Sequence, residues 1–288
     1  MNITMKTTTV TPKITGFTTD TQPEDTLSIA IYGRDTTGKT RFIATAPDPI
    51  GILPLERKSR PTIDRIKREF GKVVLMPEQD FIRVSNPMKM ATMTDDALKA
   101  YYRAHVDRVK MAGYALAASP DIRSIGIDSG TQLFEDMMFA HYGRVQRIMQ
   151  RDYGAVYQEY SQFINSLSCK NLIITHHAKE VYKGDKIVPG KYKLAGYKFT
   201  GHIVNAVLEF LVDENTGEFQ VNIERCHMNP EVQGPNGTAD QTMLIGDAIN
   251  FDMVALKIDP DWEEKCASAE ARRTQKSYTK AVKAAQGA

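Results

Sequence analysis

The feature that most constrains this chain is the run from Leu27 to Thr40, LSIAIYGRDTTGKT, in which a short apolar strand leads into a loop framed by two glycines. Gly33 and Gly38 let the backbone curl so that successive N–H groups point inward, which is how such loops hold phosphate oxygens. A helix is expected to begin where the loop ends. The pattern predicts phosphate-binding contacts from the whole loop, which comprises Gly33, Arg34, Asp35, Thr36, Thr37, Gly38, Lys39 and Thr40.

The last two loop residues carry the chemistry of the predicted site. The Lys39 ammonium is expected to reach the β- and γ-phosphates of a nucleotide, which makes it a catalytic candidate as well as a binding residue. The Thr40 hydroxyl is expected to ligate Mg²⁺. The sequence therefore predicts ATP and Mg²⁺ as ligands.

A second motif supplies the carboxylate that such a site needs. Ser124–Ile127 is predicted to be a buried strand, and Asp128 follows it in the position from which a carboxylate holds Mg²⁺ opposite the Thr40 hydroxyl. The next residue is Ser129 rather than glutamate, so another carboxylate must orient the attacking water. Glu56, after the strand Ile50–Leu55, is the preferred candidate.

Two alternatives remain open for that carboxylate. Glu78 follows the predicted strand Lys72–Met76 in the same way as Glu56 follows its own strand. Glu56 also begins the charged run Glu56-Arg57-Lys58, and a solvent-exposed glutamate is common in such a run.

Two adjacent histidines follow the predicted strand Asn171–Thr175. Because neighbours on an extended chain point to opposite faces, only one of them is expected to reach the nucleotide. One of the two is therefore a candidate for contacting the γ-phosphate, and a zinc site is not favoured.

The segment from Lys179 to Lys198 combines six lysines with three tyrosines. Lysines attract phosphates and aromatic rings stack on bases, so the segment predicts contact with single-stranded DNA. An ordinary exposed hairpin around Lys183-Gly-Asp-Lys186 is the alternative. The DNA-binding candidates are Lys179, Tyr182, Lys183, Lys186, Lys191, Tyr192, Lys193, Tyr197 and Lys198.

Strands and helices alternate along the chain, which predicts an α/β fold with a mostly parallel central sheet and helices on both faces. A helix capped by Thr94 is expected to run to about Ala118. The strands Val207–Val212 and Phe219–Arg225 flank a turn and predict an antiparallel hairpin at the C-terminal end.

The predicted organisation has three parts: a flexible leader over 1–25, a core over 26–255 and a basic tail over 256–288. The tail carries Arg272, Arg273 and three lysines beyond Ala271 without an acidic residue, and is either a solvated helix or a second phosphate clamp.

Composition adds two limits. No apolar run in the 288 residues approaches the roughly 20 needed to cross a bilayer, so no membrane partner is expected. The three cysteines are widely separated, which fits a reducing cytoplasm and suggests neither disulfides nor zinc. A formal net charge of +2 says nothing about partners by itself.

Several segments together carry a family resemblance: YGRDTTGKT, PLERKS, SIGIDSG, Tyr153–Tyr157, NLIITHHAK and GYKFTGHIVNAVLEF. Their order resembles the phage-encoded RecA-fold nucleotide-binding proteins, and among them the short RecA-like single-strand annealing recombinases of phages. The resemblance covers Leu27 to Gly234. The Asp128-Ser129 pair is RecA-like, whereas AAA-type ATPases have Asp-Glu.

The resemblance implies a RecA-like ATPase core that binds ATP through Gly33 to Thr40, with Glu56 as catalytic glutamate, Asp128 as Mg²⁺ acid and His177 as γ-phosphate sensor. It also implies single-stranded DNA binding, a homo-oligomeric ring or filament, and work beside a single-strand binding protein. A basic residue acting on a neighbour's ATP would be Lys191, Lys193 or Lys198. The insert Phe81–Pro120 and the tail depart from the family pattern.

The expected function is a DNA-stimulated, Mg²⁺-dependent ATPase in phage recombination or replication, with strand annealing and strand exchange both open. Two other functions compete with it. The chain could use ATP as a conformational ligand without efficient turnover, or it could be a small-molecule or nucleotide kinase, since kinases also combine phosphate loops with basic lids.

Overall fold

A computed structural model describes residues 26–77, 81, 87–144, 150–232, 243–246, 249–271 and 274. The chain divides into two units, one covering Thr26–Glu264 and the other made of 1–25 with 265–288. The fold described below belongs to the first unit. The predicted boundaries of leader, core and tail stay predictions.

The described residues form nine strands: β1 Ser28–Gly33, β2 Ile50–Pro54, β3 Val74–Leu75, β4 Ser124–Asp128, β5 Asn171–Lys183, β6 Lys186–Leu194, β7 Ala206–Val212, β8 Phe219–Cys226 and β9 Met243–Ile245. They make a mixed sheet whose order is β3-β2-β4-β5-β1-β7-β8-β9, and β6 pairs with β5 off this path. The first five strands in that order are parallel, as β1 also is to β7, and the pairs β7–β8 and β8–β9 are antiparallel.

Helices connect the strands and cover the sheet. They are α1 Lys39–Ile43, α2 Ser59–Phe70, α3 Pro87–Thr92, α4 Asp95–Ala118, α5 Gly130–Tyr142, α6 Gly154–Leu167, α7 Thr200–Ile203 and α8 Phe251–Ile258, with 3₁₀ turns at Gln150–Tyr153 and Pro230–Val232. The predicted α/β architecture, with a mostly parallel sheet and a C-terminal antiparallel hairpin, is confirmed.

Alternation along the strands explains why helices lie on both faces. A methyl group built on Gly51 of β2 would meet Leu116 of α4, whereas one built on Gly126 of β4 would meet Ile43 at the end of α1. The central strands are buried throughout, so both faces carry apolar side chains and both must be covered.

The segment that departs from the family pattern supplies a large part of one face. Phe81 is buried, and α4 contributes Leu98, Val106 and Val109 to the core cluster that it shares with α5 and α6. The insert is therefore an integral layer of the fold.

Local predictions differ from the structure in a few places. Helix α4 runs from Asp95 to Ala118 as predicted, and the Thr94 hydroxyl accepts the Ala97 N–H at 3.3 Å. Strand β3 has two residues rather than the five predicted over Lys72–Met76. The largest difference is β5, which continues beyond Thr175 to Lys183 because β6 pairs with its second half.

The close contact between α4 and α6 generates a stability prediction. A Cβ atom added to Gly113 would lie 2.7 Å from Cζ of the fully buried Phe163 ring, whereas no atom of the described residues lies within 4 Å of one added to Gly154. We expect Gly113→Ala to lower the free energy of unfolding by about 1–2 kcal/mol, overpacking outweighing the gain in helix propensity. Gly154→Ala, the matched control, should leave it unchanged or raise it by less than about 1 kcal/mol. Urea denaturation measures both, and equal effects would contradict the packing argument.

Candidate functional site

The glycine-framed loop lies at the carboxyl end of β1, between the ends of β5 and β7. A Cβ atom on Gly33 would collide with the Phe210 carbonyl oxygen, so this position requires glycine. Gly38 has a φ of 87°, in the left-handed region that favours glycine, and α1 begins at the next residue. The loop and the helix start therefore stand as the sequence predicts.

The Lys39 side chain folds back over the loop. Its Nζ donates to the carbonyl oxygens of Gly33 at 2.8 Å and Arg34 at 2.6 Å. Burial lowers the pKa of Lys39, and the carboxylates of Asp35, Asp128 and Glu56 act in the opposite direction. The ammonium is thus held inside an acidic cleft, where a polyanion such as a triphosphate would compensate its charge.

The Asp128 carboxylate accepts hydrogen bonds from three hydroxyl groups. Its Oδ2 accepts from Thr40 at 3.0 Å and Ser59 at 2.7 Å, and its Oδ1 accepts from Thr175 at 2.5 Å. The carboxylate is buried, so these bonds compensate for lost hydration. Sequence reasoning assigned no role to Ser59, although it ends the PLERKS segment.

These oxygen donors fit Mg²⁺. The ion is bound by one or two carboxylates together with substrate phosphates and waters, and the Asp128 carboxylate with the Thr40 hydroxyl provides such a half-site. Among the described residues no group of three or more His, Cys, Asp and Glu side chains could hold a metal ion by itself.

Glu56 and His177 form an ion pair at the mouth of the cleft. Their Oε1 and Nε2 atoms are 2.5 Å apart, with Glu56 largely buried and His177 about half exposed. Burial acts to raise the pKa of Glu56, but hydrogen bonds from His177 and Ser129 outweigh it and lower that pKa to about 2. The same hydrogen bond raises the pKa of His177.

The two shifts define a pH window for the pair. The Glu56 shift stabilises the fold above the ordinary carboxyl pKa and is lost as pH falls through about 2. The His177 shift stabilises the fold below the ordinary imidazole pKa and is lost as pH rises through the raised one. The ion pair is therefore fully formed in mildly acidic solution and weakens at alkaline pH.

The two histidines point to opposite faces, as the alternation predicts. His176 is fully buried, its Nδ1 lies 3.0 Å from the Ala195 carbonyl oxygen, and burial lowers its pKa to about 3. His177 faces the cleft. Together with the loop, Glu56, Lys58, Ser59, Asp128 and Thr175, it lines a space of about 350 Å³.

The lysine-rich segment is a hairpin that extends from the same strand as His177. Strands β5 and β6 place Lys179 opposite Lys193 and Lys183 opposite Lys186. Burial and the neighbouring Lys193 lower the pKa of Lys179. Like charges directly opposite each other are unfavourable in a sheet, so the hairpin concentrates positive charge at a cost in stability.

The three tyrosines of this segment differ in environment. Tyr182 is exposed, and the Arg34 guanidinium lies 5.9 Å from the centroid of the partly exposed Tyr192 ring. Tyr197 is 5% exposed and packs against Tyr157 and Tyr160, so a base cannot stack on it in this structure. The neighbouring Lys198 is exposed, with its ammonium 4.7 Å from the centroid of the Phe199 ring.

Some predicted residues cannot be placed. Glu78, the alternative to Glu56, lies outside the described residues, as do Arg272, Arg273 and the lysines of the tail. Lys186 and Lys191 lie on β6 and are exposed, but nothing in the structure distinguishes Lys191, Lys193 and Lys198 as residues acting on a neighbouring subunit.

The sheet order, the loop after β1 and the acid at the end of β4 define a P-loop nucleotide-binding protein with an α/β core. Residues 25–214 match the family described as an AAA domain. This match covers more than half of the chain, which therefore belongs to that family.

Two solved structures are similar to this chain. The RadB recombinase is similar with a TM-score of 0.47 and 12% identity, over 76% of this chain and 86% of that one. A KaiC-like protein from the hyperthermophilic archaeon Pyrococcus horikoshii has a TM-score of 0.36 and 17% identity, over 77% of this chain and 90% of that one. No curated protein matches significantly. Within the described part of the chain, no helix is long and apolar enough to cross a membrane.

The ion pair generates a titration prediction. His177→Ala should raise the pKa of Glu56 from about 2 towards its ordinary value, because the principal hydrogen bond that lowers it is removed while burial remains. His202→Ala, which changes a histidine of α7 outside the cleft, should leave that pKa unchanged. Carboxyl-carbon NMR titration of Glu56 measures both, and an unshifted Glu56 in the His177 variant would contradict the assignment.

Proposed function

We propose that this protein is an oligomeric, Mg²⁺-dependent ATPase that binds single-stranded DNA and serves phage recombination or replication, by strand annealing or exchange. The observation that carries the proposal is one cleft in which Lys39, the Thr40–Asp128 pair and the Glu56–His177 pair meet. The family resemblance of the sequence supports the phage role and the partnership with a single-strand binding protein.

Each residue has a distinct part in the proposed reaction. Lys39 binds the β- and γ-phosphate oxygens, and Thr40 with Asp128 holds Mg²⁺, which neutralises charge that develops on the phosphates. Ser59 and Thr175 fix the Asp128 carboxylate by donating to it. Holding the phosphates and the acid in one geometry lowers the barrier by positioning.

Glu56 orients the attacking water. While it is bonded to His177, its carboxylate has a pKa of about 2 and is ionised at neutral pH. Once His177 has turned away, the carboxylate accepts a hydrogen bond from the water. It takes up the water proton while the water oxygen bonds to the γ-phosphorus and the bond from that phosphorus to the departing ADP breaks. The hydrogen bond to Glu56 raises the pKa of His177, which favours the positively charged imidazolium that suits the γ-phosphate. When His177 turns to the phosphate, Glu56 loses its partner and becomes available to the water.

The DNA-binding part of the proposal rests on the hairpin. His177 and Lys179 are two residues apart on β5, so one strand carries both the phosphate-contacting side chain and the start of the basic surface. The opposed lysine pairs favour a polyanionic partner, and Tyr182 offers an exposed ring for stacking. Because both groups lie on β5, a DNA contact on the hairpin is connected through this strand to the nucleotide site.

One alternative has a specific observation in its favour. Glu56 is bound to His177 rather than free in the cleft, which suits a protein that uses ATP to set its conformation and turns it over poorly. Comparing binding with turnover separates this alternative from the proposed ATPase. A phosphate acceptor that supports transfer would instead favour a kinase.

Two variants test the proposed chemistry. Lys39→Ala should abolish ATP binding and turnover, because the phosphate-binding ammonium is removed. Glu56→Gln should still bind ATP while turnover falls by about 10²–10⁴-fold. Glu135→Gln, an exposed position on α5 outside the cleft, is the matched control and should turn over ATP normally. ATP binding by calorimetry and phosphate release with and without single-stranded DNA give the readouts. Full turnover by Glu56→Gln would exclude Glu56 as the catalytic carboxylate.

The hairpin is tested separately. Lys183→Gln with Lys186→Gln should weaken binding to an oligothymidine and reduce the slope of log affinity against log salt by about 0.7 for each DNA phosphate that the variant no longer neutralises. Basal ATP turnover without DNA should be unchanged. Arg68→Gln with Arg108→Gln removes the same charge from exposed sites on α2 and α4 and should affect neither. Equally weakened binding in both double variants would show that net charge rather than the hairpin binds DNA.

A further inference from the structure

A small apolar slot opens beside the phosphate loop, on the side away from the ionisable groups. Its inner wall is made of the buried Phe42, Phe210 and Val221, and the rings of Phe42 and Phe210 meet edge to face at 5.3 Å. Phe219, at the start of β8, is partly exposed at its mouth. A methyl group built on Gly38 would lie 3.5 Å from Cε1 of Phe219, so this ring lies against the loop itself.

The slot and the phosphate cleft are continuous. Both are lined by Thr37, Gly38, Arg41 and Phe219. The cleft carries Glu56, Asp128 and His177, which belong to the reacting end of a triphosphate, whereas the slot is walled by apolar side chains. A nucleotide with its terminal phosphate among the charged groups must therefore leave the loop in the direction of the slot.

Among the described residues, two polar side chains line the slot, and both have partners within the protein. The Thr37 hydroxyl donates to the Arg34 carbonyl oxygen at 2.9 Å, and the Arg41 guanidinium donates to Glu69 at 2.7 Å. Arg41 also lies over the Phe70 ring, 5.4 Å from its centroid.

We propose that the nucleobase lies over the mouth of this slot and that Phe219 binds it by stacking, so that the site recognises the face of a base rather than its edge. The free volume inside the slot is about 30 Å³, far below that of a pocket that encloses a ligand, so the base covers the mouth and does not enter. ATP and GTP are then both ligands. The inference rests on the proposed nucleotide site.

The test compares Mg·ATP, Mg·GTP and magnesium tripolyphosphate by calorimetry on the full chain. Wild-type protein should bind ATP more tightly than tripolyphosphate and should separate ATP from GTP by less than about 100-fold, since strong discrimination requires hydrogen bonds to the base edge. Phe219→Ala should weaken ATP binding by about 5- to 100-fold and leave tripolyphosphate binding unchanged. Phe219→Tyr should retain ATP affinity, and Phe199→Ala, which changes an exposed phenylalanine outside the cleft, is the control.

The outcomes separate this inference from the proposed function. Tripolyphosphate binding as tight as ATP binding, equal weakening of both ligands in Phe219→Ala, or a preference above about 100-fold between ATP and GTP would each overturn the stacking slot, even with ATP turnover intact. Phe219-dependent ATP binding without turnover would preserve the slot and remove the ATPase proposal.

Discussion

The site depends on a single buried carboxylate. Asp128 is bonded through its two oxygens to hydroxyls from the start of α1, the start of α2 and the strand β5. Its own carbonyl oxygen accepts the Leu55 N–H at 2.6 Å, which joins the end of β2 to the end of β4. Removing the carboxylate would leave three hydroxyls without their acceptor in a region where water cannot easily replace it. One acid thus sets the geometry of four separate segments.

The lining of the cleft changes from ionisable side chains at one end to aromatic side chains at the other. Ionisable side chains gather where β2, β4 and β5 end, and aromatic side chains gather where β7 and β8 lie beside the phosphate loop. This grading follows from topology, because β5 and β7 flank β1 on opposite sides. A ligand that is charged at one end and aromatic at the other matches it in one orientation only.

Much of this arrangement could be predicted from local sequence, because caps, glycine loops and buried strands are set by neighbouring residues. The Thr94 cap, the loop at Gly33–Thr40 and Asp128 at the end of β4 all stand where they were expected. What escaped prediction depends on distant pairing. Strand β5 is long because β6 returns along it, and Ser59 reaches Asp128 across 69 positions.

Tyr197 is a second case in which local sequence was insufficient, because a residue predicted to be exposed is buried. Between lysines it has the composition of an exposed stacking residue, yet its ring lies in the core with Tyr157 and Tyr160. The preceding Gly196 has a φ of 97°, and this left-handed turn lies between the end of β6 and the buried ring. Composition alone does not report the direction in which a side chain leaves such a turn.

Strand β5 lies within the central sheet along its first half and projects from it along its second half. As far as His177 it is bonded to β1, and its first residues are also bonded to β4, whereas beyond His177 its bonded partner among the described strands is β6. At about 3.3 Å per residue the free end at Lys183 stands about 20 Å from His177. If the hairpin bends, the hinge lies at His177, where the pairing of β5 with β1 ends. A small rotation at His177 therefore corresponds to a large displacement of Lys183 at the hairpin tip.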